Sequence, residues 1–235
     1  MLQSSQRAFE ALSRIPLFHG LEPSTLQGVA DIVETRELAR GEVLFEQGEE
    51  GNEFFVVQRG SLGLTARADD KPLTLGVLGP GEYLGEMALI DQFPRSASAK
   101  ALQDSVLLAI RRPAFTELIR GNPDLAMALL QGMARRLRKT NQDAAAIANM
   151  SVYRRLARKL LDIASSHGQE VEDGVRLEVP LTVDTLASMI AADLQGVKLL
   201  VDLLEHEKVL SRQDDHFVIH KIRPLLDPEF PYKLA

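Results

Sequence analysis

Residues 81–99 read GEYLGEMALIDQFPRSASA, and they bring a carboxylate, an arginine and several small side chains into one short stretch. Gly85 and Glu86 precede an apolar run, and Arg95 follows Glu86 by nine residues. An arginine presents a fork of donors that fits an anionic phosphate, and a carboxylate accepts a hydrogen bond from a hydroxyl. Glycine and the small residues after Arg95 let a ligand approach the backbone. The stretch therefore predicts a site for a small molecule that carries both a phosphate and a hydroxyl.

The composition is that of a globular protein able to bury a core, with 45% hydrophobic and 26% charged residues among 235. The absence of cysteine excludes disulfides, thiolate metal sites and thiol catalysis. The N-terminal residues lack the pattern of a signal peptide, and no apolar run reaches the length of a membrane span. An intracellular, cytoplasmic protein is the simplest interpretation. The net charge of −6 does not indicate nucleic-acid binding, so any basic surface is expected to be local.

Short apolar runs alternate with glycine-containing turns from about residue 40 to residue 110. The runs span residues 43–45, 54–57, 62–64, 73–78 and 106–110. Many short strands with regularly spaced turns are typical of an antiparallel sandwich or barrel. We therefore expect residues 1–123 to form a jelly-roll-like β-roll domain that contains the 81–99 stretch.

A long helix is predicted over residues 124–150. Its apolar positions alternate in steps of three and four, which is the seam of a two-stranded coiled coil. The seam positions are Leu130, Met133, Leu137, Thr140, Ala144 and Ile147. Thr140 is a polar exception, and Asn141 lies beside it, so this point of the helix is expected to have a specific role. The pattern predicts a homodimer, although a helix packed against its own domain would also account for it.

The last segment, residues 151–235, predicts a winged helix-turn-helix. A helical pattern is followed by the polar, turn-rich stretch SSHGQEVEDG at residues 165–174. Two further helices then lead into a two-stranded ribbon over LSRQDDHFVIH, residues 210–220. The whole chain is thus expected to have an α+β fold with a β-roll, a dimerisation helix and a winged domain.

The stretch GEMALIDQFPRSASA, residues 85–99, resembles the phosphate-binding cassette of cyclic-nucleotide-binding domains. Residues 17–21 (LFHGL), 41–62 (GEVLFEQGEEGNEFFVVQRGSL) and 78–86 (LGPGEYLGE) are similar to the framework of that domain. Together with the long helix and the winged domain, the resemblance extends over nearly the whole chain to the cyclic AMP receptor protein/FNR family of bacterial transcription regulators.

The resemblance implies a role for each cassette residue. In that family the glutamate binds the ribose hydroxyl, and the arginine and the serine after it bind the cyclic phosphate. Two positions of the dimer helix bind the purine, and further residues contribute backbone contacts. In this chain the matching residues are Glu86, Arg95, Ser96, Thr140, Asn141, Gly85, Met87 and Ala88. The implied effector is cyclic AMP or cyclic GMP, although a cassette kept only for its structure would have the same sequence.

Other cofactors and an enzymatic activity are not expected. The histidines lie outside residues 21–166, where an effector site would be, and none has zinc-motif spacing: His19, His167, His206, His216 and His220. Haem, a metal ion and an iron–sulfur cluster are therefore not predicted. No nucleophile or acid–base pair stands out, so the chain is not expected to be an enzyme.

The predicted recognition helix departs from the family pattern, which begins Ser-Arg-Glu-Thr and carries a second arginine. Residues 193–196 are Asp-Leu-Gln-Gly, and Leu199 replaces the second arginine. The outward-facing candidates for DNA contact are Gln195, Lys198 and Leu199. Residues 180–220 contain seven acids and three strong bases, a net charge of −4, which disfavours phosphate contact.

Two hypotheses for the output follow. In the first, a dimeric sensor binds a cyclic nucleotide and then DNA. In the second, the sensor is retained but the acidic winged helix binds a protein partner, with Leu199 in an apolar patch. Basic residues at 135–139 and 154–159 are candidates for contact with a DNA backbone, but they are interpreted as solvated helix faces.

Overall fold

A computed structural model describes residues 2–68, 71–227 and 230. The chain forms two compact units. The first comprises the residues up to Arg67 together with Gly76–Arg138, and the second comprises Ala68–Leu75 together with Lys139–Ala235.

The first unit has helices at its beginning and end and strands between them. The early helices are α1 (Leu2–Ser13) and α2 (Pro23–Ile32), joined by a 3₁₀ turn at Pro16–Phe18. Eight strands follow among the described residues: β1 (Glu34–Leu38), β2 (Val43–Phe45), β3 (Glu53–Arg59), β4 (Leu62–Ala68), β5 (Lys71–Leu78), β6 (Tyr83–Leu84), β7 (Ser98–Ala101) and β8 (Ser105–Arg111). The part of β5 up to Leu75 belongs to the second unit. Helix α3 (Glu86–Asp91) lies between β6 and β7, and α4 (Arg112–Gly121) follows β8.

The strands form two four-stranded sheets, in the orders β1-β8-β3-β6 and β2-β7-β4-β5. Strand β3 is buried on both faces, which explains its uninterrupted apolar sequence. Phe54 and Val56 belong to a core shared with the helices, whereas Phe55 and Val57 belong to the core around β4 and β7. This alternation is the period of two that a strand imposes on its side chains. The predicted α+β fold with an antiparallel β-roll is confirmed, and β1, β6 and β7 are strands that the apolar runs did not predict.

Helix α5 spans Pro123–Asn149, close to the predicted 124–150. Its seam is largely solvent-exposed in the single chain: Leu130 is 58% exposed, Leu137 62% and Ile147 43%. These three side chains are therefore not packed against their own domain, as the alternative interpretation of the helix would require.

The second unit contains the predicted winged helix-turn-helix. Its elements are α6 (Val152–His167), β9 (Gly168–Val171), β10 (Gly174–Leu177), α7 (Val183–Met189), α8 (Leu194–His206), β11 (Leu210–Gln213), β12 (His216–Ile219) and α9 (Ile222–Leu226). The prediction of a two-stranded ribbon was incomplete, because β9 and β10 extend the sheet to the order β11-β12-β10-β9. The division of the chain into residues 1–123, 124–150 and 151–235 stays a prediction.

Candidate functional site

Arg95 lies in the loop between α3 and β7, and its side chain turns inward. The residue is only 6% exposed. Its Nη1 donates to the Gly85 carbonyl at 3.0 Å, and its Nη2 donates to the Glu53 carbonyl at 2.8 Å. The guanidinium also stacks on the ring of Phe45, with Cζ 4.2 Å from the ring centroid. These contacts hold the cation in one orientation before any ligand is bound.

Two glycines make room for this guanidinium. A Cβ atom at Gly51 would lie 2.8 Å from Arg95 Cζ, and one at Gly85 would lie 2.5 Å from Arg95 Nη1. Gly85 also has a φ of +88°, a left-handed conformation that a side chain disfavours. Gly85 was predicted to allow close approach, whereas Gly51 was not predicted to belong to the site.

One donor of Arg95 is left open. Its Nε is buried and has no hydrogen-bond partner among the described residues. Burial lowers the pKa of Arg95, and the nearby Glu53 and Glu49 partly oppose this effect. A buried donor without an acceptor costs free energy, so an anionic acceptor at this position would be stabilising. The arrangement suits a phosphate oxygen.

Glu86 is the first residue of α3 and is 3% exposed. Its carboxylate pairs with Arg136 of α5, with Arg136 Nη1 2.8 Å from Glu86 Oε1. Arg136 also donates to the Tyr83 carbonyl and lies over the Tyr83 ring, 4.5 Å from its centroid. The interpretation of Arg136 as part of a solvated helix face was therefore wrong. Glu86 and Arg136 are fifty residues apart, so no local sequence pattern indicates that they pair. The one available signal was the position of Arg136, one helical turn before the polar Thr140.

The pKa of Glu86 is raised above its ordinary value of 4.5. Burial is the largest cause, because it disfavours the charged carboxylate, and the Arg136 cation opposes it only in part. At pH values between 4.5 and the raised pKa, Glu86 keeps its proton in the folded protein but has released it in the unfolded chain. The free energy of unfolding therefore falls as the pH rises through this window.

We expect Glu86→Gln to remove this component of the pH dependence, because glutamine does not titrate. Urea unfolding of wild type and variant from pH 4.5 upward measures the difference between the two slopes. Glu50→Gln, which removes an exposed carboxylate of the same unit, is the matched control. Identical pH dependence in wild type and Glu86→Gln would contradict the assignment.

The remaining cassette residues surround a small cavity beside Glu86 and Arg95. Ala88 is buried, whereas Met87 and Ser96 are exposed, and Ser96 Oγ lies 3.7 Å from Met87 Sδ. The cavity has a volume of about 70 Å³ and is also lined by Arg136. Small-molecule sites typically have roughly 300–1,000 Å³. A nucleotide therefore fits only if residues that line the cavity move. Among the charged lining residues, Arg136 has the most exposed side chain, at 39%.

The structure thus brings six of the predicted ligand residues together: Gly85, Glu86, Met87, Ala88, Arg95 and Ser96. Thr140 and Asn141 are exposed on α5 and belong to the second unit. Thr140 lies one helical turn beyond Arg136, on the same helix.

The outer face of α8 has the composition predicted for it. Gln195 and Lys198 are exposed, and Leu199 is 71% exposed, whereas Val197, Val201 and Leu204 are fully buried. Asp202 lies on the same face, and Arg212 of β11 neutralises it, with Nη2 2.9 Å from Asp202 Oδ1. Arg212 also pairs with Glu205, with Nε 3.0 Å from Glu205 Oε1.

The basic residues of α6 are mostly engaged within the second unit, so their interpretation as a solvated face was wrong. Lys159 is 8% exposed and lies 2.9 Å from Asp143. Arg155 donates to the Ile190 and Ala191 carbonyls. Arg158 Nη1 donates to the Gln142 carbonyl. Arg154 is exposed.

No group of three or more His, Cys, Asp or Glu placed to hold a metal ion occurs among residues 2–68, 71–227 and 230. Within the same described part of the chain, no helix is long and apolar enough to span a membrane.

Comparison with known proteins shows which family the sequence around these residues matches. The cyclic nucleotide-binding domain family matches residues 35–122, which include the whole cassette. The CRP-like cAMP-activated global transcriptional regulator of Mycobacterium tuberculosis is 30% identical over 195 residues, which are 82% of this chain and 87% of that protein. Relatives of this kind are transcription regulators, in agreement with the prediction that the chain is not an enzyme.

Solved structures share the fold. A CRP/FNR-family transcriptional regulator of Thermus thermophilus matches with a TM-score of 0.65 at 26% identity, over 83% of this chain and 97% of that one. The c-di-GMP-responsive regulator CLP of Xanthomonas campestris matches with a TM-score of 0.71 at 21% identity, over 85% and 99%, and this likeness concerns the fold alone. The cassette geometry, the matched domain and the extent of similarity lead to one conclusion: this chain belongs to the cyclic AMP receptor protein/FNR family of transcription regulators.

Proposed function

We propose that this protein is a cytoplasmic, dimeric transcription regulator that binds cyclic AMP or cyclic GMP and, in response, binds DNA through its winged helix. The observation that carries the ligand half of the proposal is the pair of buried charges. Arg95 is held in place with one donor open, and the Glu86 carboxylate lies beside the same cavity.

The ligand is oriented by its two polar ends. Arg95 and Ser96 receive the cyclic phosphate, and Glu86 accepts from the ribose 2′-hydroxyl. Gly85, Met87 and Ala88 contribute backbone contacts. Because Arg136 occupies the Glu86 carboxylate, entry of the ribose requires Arg136 to leave or to share that carboxylate. Thr140 and Asn141 contact the purine and so couple the ligand to α5.

Dimerisation uses the seam of α5. Leu130, Leu137 and Ile147 are large apolar side chains that the single chain leaves in water. Exposed apolar residues repeated at heptad spacing are stabilised when a second helix covers them. The heptad spacing fits a second copy of α5, packed in parallel against the first.

The output is DNA binding by α8, through Gln195, Lys198 and Leu199. The neutralisation of Asp202 by Arg212 supports this output, because it removes an acid that would face phosphate. The alternative, a winged helix that binds a protein partner, receives no support from the relatives, which are named as transcription regulators.

Two measurements on the full chain test the proposal. Calorimetry with cyclic AMP, cyclic GMP and cyclic di-GMP identifies the effector, and we expect one of the first two to bind. Gel-shift assays on genomic fragments with and without that effector test the output, and we expect ligand-dependent retention of a subset of fragments. Binding of neither cyclic mononucleotide would refute the sensor, and retention of no fragment would refute the DNA-binding output.

A further inference from the structure

The exposed face of α8 differs in chemistry from a guanine-reading helix. Helix α8 contains no arginine, and the nearby Arg212 of β11 is bonded to Asp202 and Glu205. Arginine is the side chain that most often reads guanine, through bidentate bonds to O6 and N7. With Arg212 committed to two carboxylates, this face offers no free guanidinium from either α8 or β11 among the described residues.

What the face does offer is an amide and an exposed apolar side chain one turn apart. At about 100° per residue, Leu199 lies roughly 40° around the helix from Gln195. Residues four apart have Cβ atoms about 5–6 Å from each other. Both side chains are exposed. Both also lie in the first half of α8, the part of a recognition helix that contacts base edges.

These two groups match the major-groove edge of one kind of base pair. A glutamine amide donates to N7 and accepts from N6 of adenine, and an apolar side chain packs on the thymine methyl group. We propose that α8 reads A·T base pairs, with Gln195 bonded to an adenine and Leu199 packed on a thymine methyl group of the same half-site. This inference rests on the proposed DNA-binding function and specifies which base pairs that function selects.

Lys198 has a different role in the proposed DNA contact. It lies about 60° from Gln195, on the side away from Leu199. Its ammonium is a point charge on a flexible stem, which suits a phosphate oxygen and conveys no base identity. Asp202 lies on the same face, and its Oδ1 accepts a hydrogen bond from Arg212. Lys198 therefore contributes affinity, and the Gln195–Leu199 pair contributes specificity.

The test is a binding selection on a randomised duplex DNA library with the full chain and saturating cyclic AMP, repeated with cyclic GMP. For wild type we expect half-sites with A·T pairs at two neighbouring positions. Leu199→Arg is expected to change the preference at one of them from thymine to guanine, by about 5- to 150-fold for a contact worth about 1–3 kcal/mol. Gln195→Ala is expected to relax the preference for adenine at the other position.

Lys198→Ala is the matched control on the same helix. It is expected to weaken binding to all sequences alike and to lower the salt slope by about 1, with the base preference unchanged. Because Leu199 is 71% exposed, its replacement is not expected to unfold the domain, and urea unfolding checks this. G·C pairs at the two positions, or a preference unchanged by Leu199→Arg and Gln195→Ala, would overturn this inference alone. Enrichment of no duplex under either effector would overturn the DNA-binding function with it.

Discussion

Replacing Arg95 by alanine is expected to weaken cyclic-nucleotide binding by about 30- to 5,000-fold, the equivalent of roughly 2–5 kcal/mol for truncating one partner of a buried charge pair. The loss is large because Arg95 is 6% exposed and already oriented by the Gly85 and Glu53 carbonyls. The alanine variant lacks the cation that we propose as the partner of the phosphate. Calorimetry with the effector measures the change, and wild-type affinity in the variant would refute the assignment.

Two comparisons make this result specific. Arg95→Lys keeps the positive charge but loses the planar fork, so we expect an affinity between those of wild type and Arg95→Ala. The double variant Thr140→Ala, Asn141→Ala removes neutral hydrogen bonds worth about 1 kcal/mol each, so it should bind roughly 30-fold more weakly at most. Urea unfolding of each variant separates a loss of binding from a loss of the fold.

Leu137→Glu is expected to convert the protein from dimer to monomer. Leu137 is 62% exposed in the single chain and lies at the centre of the α5 seam. In a parallel dimer the two introduced carboxylates would face each other in an apolar interface, where neither has a partner. Sedimentation velocity at micromolar concentration distinguishes the two states.

The matched control is Gln131→Glu, which adds the same charge to the same helix. Gln131 is exposed and lies about 100° around α5 from Leu130, outside the seam. This variant should remain a dimer. A monomeric wild type, or a dimer that persists in Leu137→Glu, would contradict the proposed interface.

The elements with a regular pattern or a local motif were predictable from the sequence. The heptad seam predicted α5 to within a residue at each end, because a helix exposes its period directly in the chain. The cassette residues from Gly85 to Ser96 lie within twelve positions, so their shared chemistry is visible before folding. The ribbon of β11 and β12 was also predicted, from the stretch LSRQDDHFVIH that follows two helical patterns.

Elements without such a pattern were missed. Strand β9 is exposed at all four of its positions, so no apolar alternation marks it, and pairing with β10 places it in the sheet. Strand β1 is exposed at four of its five positions and is placed by its ladder with β8. In both strands the backbone hydrogen bonds of the ladder decide the structure, and backbone groups are the same for every sequence.

Only the tertiary structure decided which charges meet. Glu86 and Arg136 are fifty residues apart, Arg212 reaches back to Asp202 and Glu205, and Lys159 is buried against Asp143. From the sequence alone a charged side chain is interpreted as solvated, because the packing of other elements determines which partner comes close to it. The sequence by itself determined the family, the cassette and the helix that carries the seam. The fold determined that Arg212 pairs with Asp202 and Glu205. It also determined that Arg136 pairs with the Glu86 carboxylate, because burial of a charge requires a partner that only the folded chain can bring within reach.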